Sequence, residues 1–130
     1  MERALRFAAA ALVLAGGVVH LKLWNDGYKD IADVGPAFLG NVIASAAVAV
    51  ALVVVANWGA IVAGLAVVNG TLGAFALSRT DRGIFGFTEQ GFQPSPEAAL
   101  ALVFEIAAGA GLVWLLWLDR ARAATRERPM

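Results

Sequence analysis

Six polar side chains stand inside or at the ends of long apolar runs: His20, Asn41, Ser45, Asn69, Arg79 and Glu105. Glu105 is the sharpest case. It lies well within EAALALVFEIAAGAGLVWLLW, residues 97–117. A carboxylate in hydrocarbon is expensive as an anion, so it must be protonated, paired with a cation, or used to bind a ligand, ion or proton. His20 on the first run is one candidate partner. Arg79, at the end of the third, is the other, because an arginine side chain reaches along the helix that carries it. Asn41, Ser45 and Asn69 add amide and hydroxyl groups able to hold a ligand or to link helices.

The spacing says where these groups point. Residues three and four positions apart share a helix face. Around Glu105 these are Ala101, Leu102, Ala108 and Gly109, three of them small. His20 follows Gly16 and Gly17 by one turn, Ser45 follows Asn41, and Asn69 precedes Gly73. In lipid, small residues mark faces where helix backbones approach closely, so the polar set is expected to face the bundle interior. Ala9, Ala49, Ala63, Gly64 and Gly70 extend those faces. Counted from the near ends of the runs, His20 lies roughly 6 Å deep, Asn41 about 7 Å, and Ser45, Asn69 and Glu105 about 13 Å. The opposite half has no comparable set. The pattern describes a polar funnel open at one end.

The elements that must carry this funnel follow from composition. The chain has 130 residues, 60% hydrophobic and 15% charged, with mean hydropathy +0.73. That is too little polar surface to cover a soluble domain. A bilayer core needs ~20 apolar residues per helix. Four segments meet this, at about 4–24, 36–56, 59–78 and 96–118. The expected fold is all-α: one domain over residues 1–130, an antiparallel four-transmembrane-helix bundle with loops at 25–35 and 79–95 and a tail at 119–130. The first run is read as an uncleaved span, since it continues through VVHLKLW beyond the length of a signal peptide. Pro36 and Pro96 fit first helical positions, Ser95 fits a cap, and Glu97 suits the positive helix end. Asn57-Trp58-Gly59 is a tight turn that makes the middle spans a hairpin.

Arg3, Arg6, Arg120, Arg122, Arg126 and Arg128 lie at the terminal end; Lys22, Lys29, Arg79 and Arg82 lie at the other. The positive-inside bias favours cytoplasmic termini. Trp24 and Tyr28 then suit the outer interface, and Trp58, Trp114 and Trp117 the inner one.

Asp26, Asp30 and Asp33 lack the spacing of a calcium loop and read as a solvated turn. The longer loop carries Ile84, Phe85, Phe87 and Phe92 among glycines. Such a segment anchors in the interface, folds over the funnel as a lid, or meets a partner.

Several classes are excluded. With no cysteine there is no disulfide or thiolate site. Formal net charge is +0, which argues against a nucleic-acid partner. One histidine cannot build a multi-histidine metal or haem site, so no metal site is assigned and the cofactor is left open. Nucleophile–base pairs and phosphate-loop patterns are absent, which disfavours an enzyme.

HLKLW at the end of the first span, Tyr28 and Ile31, LSRT closing the third, GFTEQGF, and VFEIAA together resemble small, mostly uncharacterised four-helix integral membrane proteins of high-GC Gram-positive bacteria. The resemblance covers most of the chain. It implies a multi-pass protein of the bacterial plasma membrane in which His20, Arg79 and Glu105 belong to a shared pattern, and it implies no substrate. Three functions fit the residues. The first is an accessory or ligand-binding membrane module, alone in the lipid bilayer, as a homo-oligomer, or within a larger membrane complex. The second is an oligomeric ion- or proton-coupled transporter or channel using Glu105 and His20. The third is a membrane enzyme acting on a lipid or quinone.

Overall fold

A computed structural model describes residues 1–127. The contribution of Arg128 to the charge bias lies outside them. The chain is all-helical: α1 (Glu2–Asn25), a short 3-10 helix (Tyr28–Asp30), α2 (Val34–Val54), α3 (Trp58–Ser78) and α4 (Glu97–Arg126). Among the described residues, these four α-helices are long and apolar enough to cross a membrane. The shortest have 21 residues, or about 30 Å at the helical rise.

The helix ends show what starts and stops each run. Asn57 caps α3, its side-chain oxygen accepting from the Ala60 N–H at 3.0 Å. Asp33, at φ 60°, turns the chain into α2, which begins at Val34. Pro36 therefore sits third in the helix rather than first, still within the turn whose N–H groups have no intrahelical acceptor. Pro96 is the N-cap residue of α4, and Ser95, one position outside, makes no capping bond. The fourth helix also runs on to Arg126. Residues 119–126 are thus not a separate tail: their alanines and arginines propagate helix well, and Arg122 pairs with Glu2 of α1.

Each helix turns one face inward at helical spacing. On α1 the buried positions include Ala9, Val13, Gly16 and Leu23; on α4 they are Ala98, Glu105, Ala108, Leu112 and Leu115. The first helix lies between α2 and α4, and α3 packs against those same two helices. Toward the end nearest the termini an aliphatic layer packs tightly, with Val13, Leu52, Ile61, Leu112 and Leu115 all but inaccessible, and beyond it Arg6 is buried beside Glu2. Close approach there needs glycine: a Cβ on Gly64 would lie 2.9 Å from Leu112. At the opposite end Lys22 of α1 reaches Glu97 of α4 at 2.8 Å. Outward faces stay greasy, with Ile43, Val50, Val54, Val103, Ile106 and Val113 more than half exposed. A soluble protein rarely shows so continuous an apolar exterior.

Candidate functional site

Where the aliphatic core stops, a cavity of about 420 Å³ begins. It occupies the loop end of the molecule. The walls are the starts of α2 and α4, the ends of α1 and α3, and the loop after α3. Most lining side chains are apolar or small, including Leu23, Ala44, Ala66, Phe75 and Leu102. The expected polar funnel is therefore an apolar chamber with a few polar groups set into it.

Glu105 forms part of its inner wall. The side chain lies against α1, where Gly16 gives it room: a Cβ there would lie 2.7 Å from Oε1. The residue is 2% exposed, and neither carboxyl oxygen has a hydrogen-bond partner among the described residues. His20 lines the same cavity. Its Nδ1 lies 2.8 Å from the Gly16 carbonyl. A carbonyl only accepts, so Nδ1–H donates, and a neutral ring keeps Nε2 as an acceptor. The ring rests on Phe38, with centroids 5.0 Å apart. His20 and Glu105 thus share one cavity without bonding to each other.

Asn41 also lines the cavity and bridges α2 to α3, donating to Thr71 Oγ1 at 2.7 Å. Thr71 in turn donates to the Val67 carbonyl. Ser45 donates to Asn41 Oδ1 at 3.2 Å, but lies fully buried behind the cavity against Gly17. It supports Asn41 instead of facing a ligand.

Asn69 is not brought to this set. It is exposed, and its amide donates to Leu65 on its own helix. The reason is angular: Ile61, Gly64, Val68, Thr71, Phe75 and Ser78 make the inward face of α3 at spacings of three and four, and Asn69 falls beside it. Thr71 is the polar residue midway along that face, with Ser78 at its end, and the same spacing finds both in the sequence. Gly73 misled for a related cause, since nothing lies within 4 Å of a Cβ placed there or at Gly70. These two glycines mark open space and not helix contact.

Arg79 does not reach Glu105 either. Its guanidinium lies 3.8 Å from the Phe75 ring centroid, donates to Ser78 Oγ and to the Gly91 and Gln93 carbonyls, and so fastens the loop to the end of α3. Burial lowers its pKa, opposed by the nearby Glu89 carboxylate. The loop folds onto the cavity. Ile84 and Phe87 exchange backbone hydrogen bonds around a tight turn, and Ile84, Phe85, Phe87 and Glu89 line the space below. Tyr28 stacks on Phe38 and meets the edge of Phe87. Its hydroxyl donates to Glu89 at 2.7 Å. Burial, then the Glu89 contact, raises the phenol pKa above its usual range. Tyr28 is thus a clasp under the loop, not an exposed interfacial ring, whereas Trp58, Trp114 and Trp117 remain exposed at the other end.

These groups can hold a ligand by apolar contact and by hydrogen bonding at Glu105 and His20. Among the described residues no three His, Asp or Glu side chains gather as a metal site. Comparison with known proteins assigns no family: no protein-family model, no curated protein and no solved structure matches this chain.

Proposed function

We propose that this chain is a multi-pass protein of the bacterial plasma membrane, an accessory or ligand-binding module whose pocket opens toward the outer face. The four helices are read as an antiparallel transmembrane bundle with both termini in the cytoplasm. The apolar exterior supports insertion. The two ion pairs joining opposite ends of α1 and α4 support the antiparallel arrangement. The excess of arginine at the terminal end supports the orientation.

One observation carries the ligand-binding reading. A carboxylate with two unpartnered oxygens borders an apolar cavity of about 420 Å³, within the range of small-molecule sites. Buried polar groups left unpaired cost stability, so a group kept in that state is better explained by what it binds. Beyond Glu105 the packed aliphatic layer closes the path through the bundle, which favours binding over conduction through a single chain.

The test is native mass spectrometry of protein extracted mildly from its own membranes. Wild-type protein is expected to retain a small-molecule adduct that Glu105→Met loses. Bare wild-type protein, or an adduct equally retained by the variant, overturns the proposal.

A further inference from the structure

The cavity is not walled equally on all sides. Between α2 and α3 its boundary is made of residues with little or no side chain: Ala37 and Gly40 on one helix, Ala66, Gly70 and Ala74 on the other. Four of these five are exposed while lining the cavity. A Cβ built on Gly40 or Gly70 meets nothing within 4 Å. Glycines that relieve helix contacts, such as Gly17 and Gly64, behave oppposite to this: a Cβ there collides below 3.0 Å. The α2–α3 seam is therefore a gap that runs from near the loop end to mid-helix, where a membrane-spanning bundle faces lipid tails.

Inside, hydrogen-bonding capacity is lopsided. The side-chain donors around the cavity are each engaged by the protein: Asn41 with Thr71, Thr71 with Val67, Ser78 with Phe75, and Tyr28 with Glu89. The groups left without a protein partner are the two Glu105 oxygens and Nε2 of a neutral His20; Nε2 accepts, and Glu105 offers two acceptor oxygens when ionised and still one when protonated. A ligand that satisfies them must donate. An anionic head would instead meet a carboxylate and no free cation, because Arg79 is committed to the loop.

We infer that the cavity takes a lipid-soluble amphiphile with a hydrogen-bond-donating head, an alcohol or an amine on a hydrocarbon chain, admitted sideways from the bilayer between α2 and α3, with its head set against Glu105 and His20. The inference rests on the ligand-binding reading above and names the chemistry of that ligand. The layout agrees with it, since apolar walls run inward from the loop end past His20 and Glu105 lies at the inner end.

The experiment uses full-length protein in phosphatidylcholine nanodiscs and three probes of one chain length, dodecanol, dodecylamine and dodecanoate. Retention is read by native mass spectrometry. Wild type is expected to hold the alcohol or the amine at least about tenfold more tightly than the carboxylate, the factor for one well-made hydrogen bond to a buried charge. The better of the two shows whether the natural head is neutral or cationic. Glu105→Met is expected to lose that preference; Glu105→Gln, which keeps an acceptor, to lose the amine before the alcohol. Gly40→Leu and Gly70→Leu, placed in open space, are expected to keep the wild-type melting temperature and to load more slowly. Equal or stronger retention of dodecanoate, no retention of any probe, or wild-type loading rates in both leucine variants overturns the inference. Failure of the underlying reading has a different signature, bare protein from native membranes.

Discussion

Replacing Glu105 by methionine should make the protein more stable and less able to bind. Methionine is unbranched and close to glutamate in length, so it can follow the same path past Gly16. The substitution removes two buried oxygens without hydrogen-bond partners. Leaving one such group unpaired costs about 1–3 kcal/mol. Protonation of the acid relieves part of this, so the net gain for Glu105→Met is placed at about 1–3 kcal/mol and not at twice that. Glu105→Gln keeps two polar atoms in the same place and is expected within about 1 kcal/mol of wild type. Unfolding by sodium dodecyl sulfate in mixed micelles, followed through the four tryptophans, gives both differences. A loss of more than about 1 kcal/mol in Glu105→Met would instead make the carboxylate a structural partner with bonds to lose, and would exclude an unpaired group kept for a ligand. Stabilisation with loss of ligand is the usual sign of a group retained for function.

Further outcomes follow from the same geometry. Gly17→Ala places a Cβ 2.8 Å from that of Ser45 and is expected to cost about 1–3 kcal/mol in the same titration; Gly70→Ala meets nothing and should be neutral or stabilising by up to about 1 kcal/mol. Thr71→Val removes the acceptor for Asn41; a double-mutant cycle with Asn41→Leu should return a coupling of about 0.6 kcal/mol, the average for such bonds between membrane helices. The chain has a single tyrosine, so tyrosinate absorbance reports Tyr28 alone. Its folded pKa is raised by burial and by Glu89; the stability it contributes is thus complete below the ordinary phenol range near ~10 and lost as pH climbs through the folded value. Ionisation should be delayed relative to free tyrosine, and Glu89→Gln should bring it part of the way back; a midpoint already at the ordinary value would contradict the clasp.

The helices and the site were legible to different degrees. Four apolar runs with Asn57 and the prolines near their ends place the helices to within a few residues, because the bilayer length and the cost of unpaired backbone leave few choices. The end of α4 was not legible, because polar residues 119–126 read as tail when hydropathy alone is the guide, whereas Arg122 and the alanines extend the helix. Glu105 and His20 could be placed on inward faces from their small neighbours. Small residues serve less well on α3, where Gly73, one turn from Asn69, faces open space and not a contact. There the spacing of Ile61, Val68 and Phe75 is the better guide, and it selects Thr71. The fate of Arg79 was legible only in part: Phe75 and Ser78 lie within a turn of it, but its other partners are backbone carbonyls of a loop whose path depends on tertiary packing.

The most direct measurement is a crystal structure of the wild-type protein grown in a lipidic mesophase, read at the cavity beside Glu105. Elongated density is expected to run from the α2–α3 seam to a polar end within hydrogen-bonding distance of the Glu105 carboxyl group. A collapsed cavity, or a Glu105 side chain paired with His20 or Arg79 around no ligand, would contradict it.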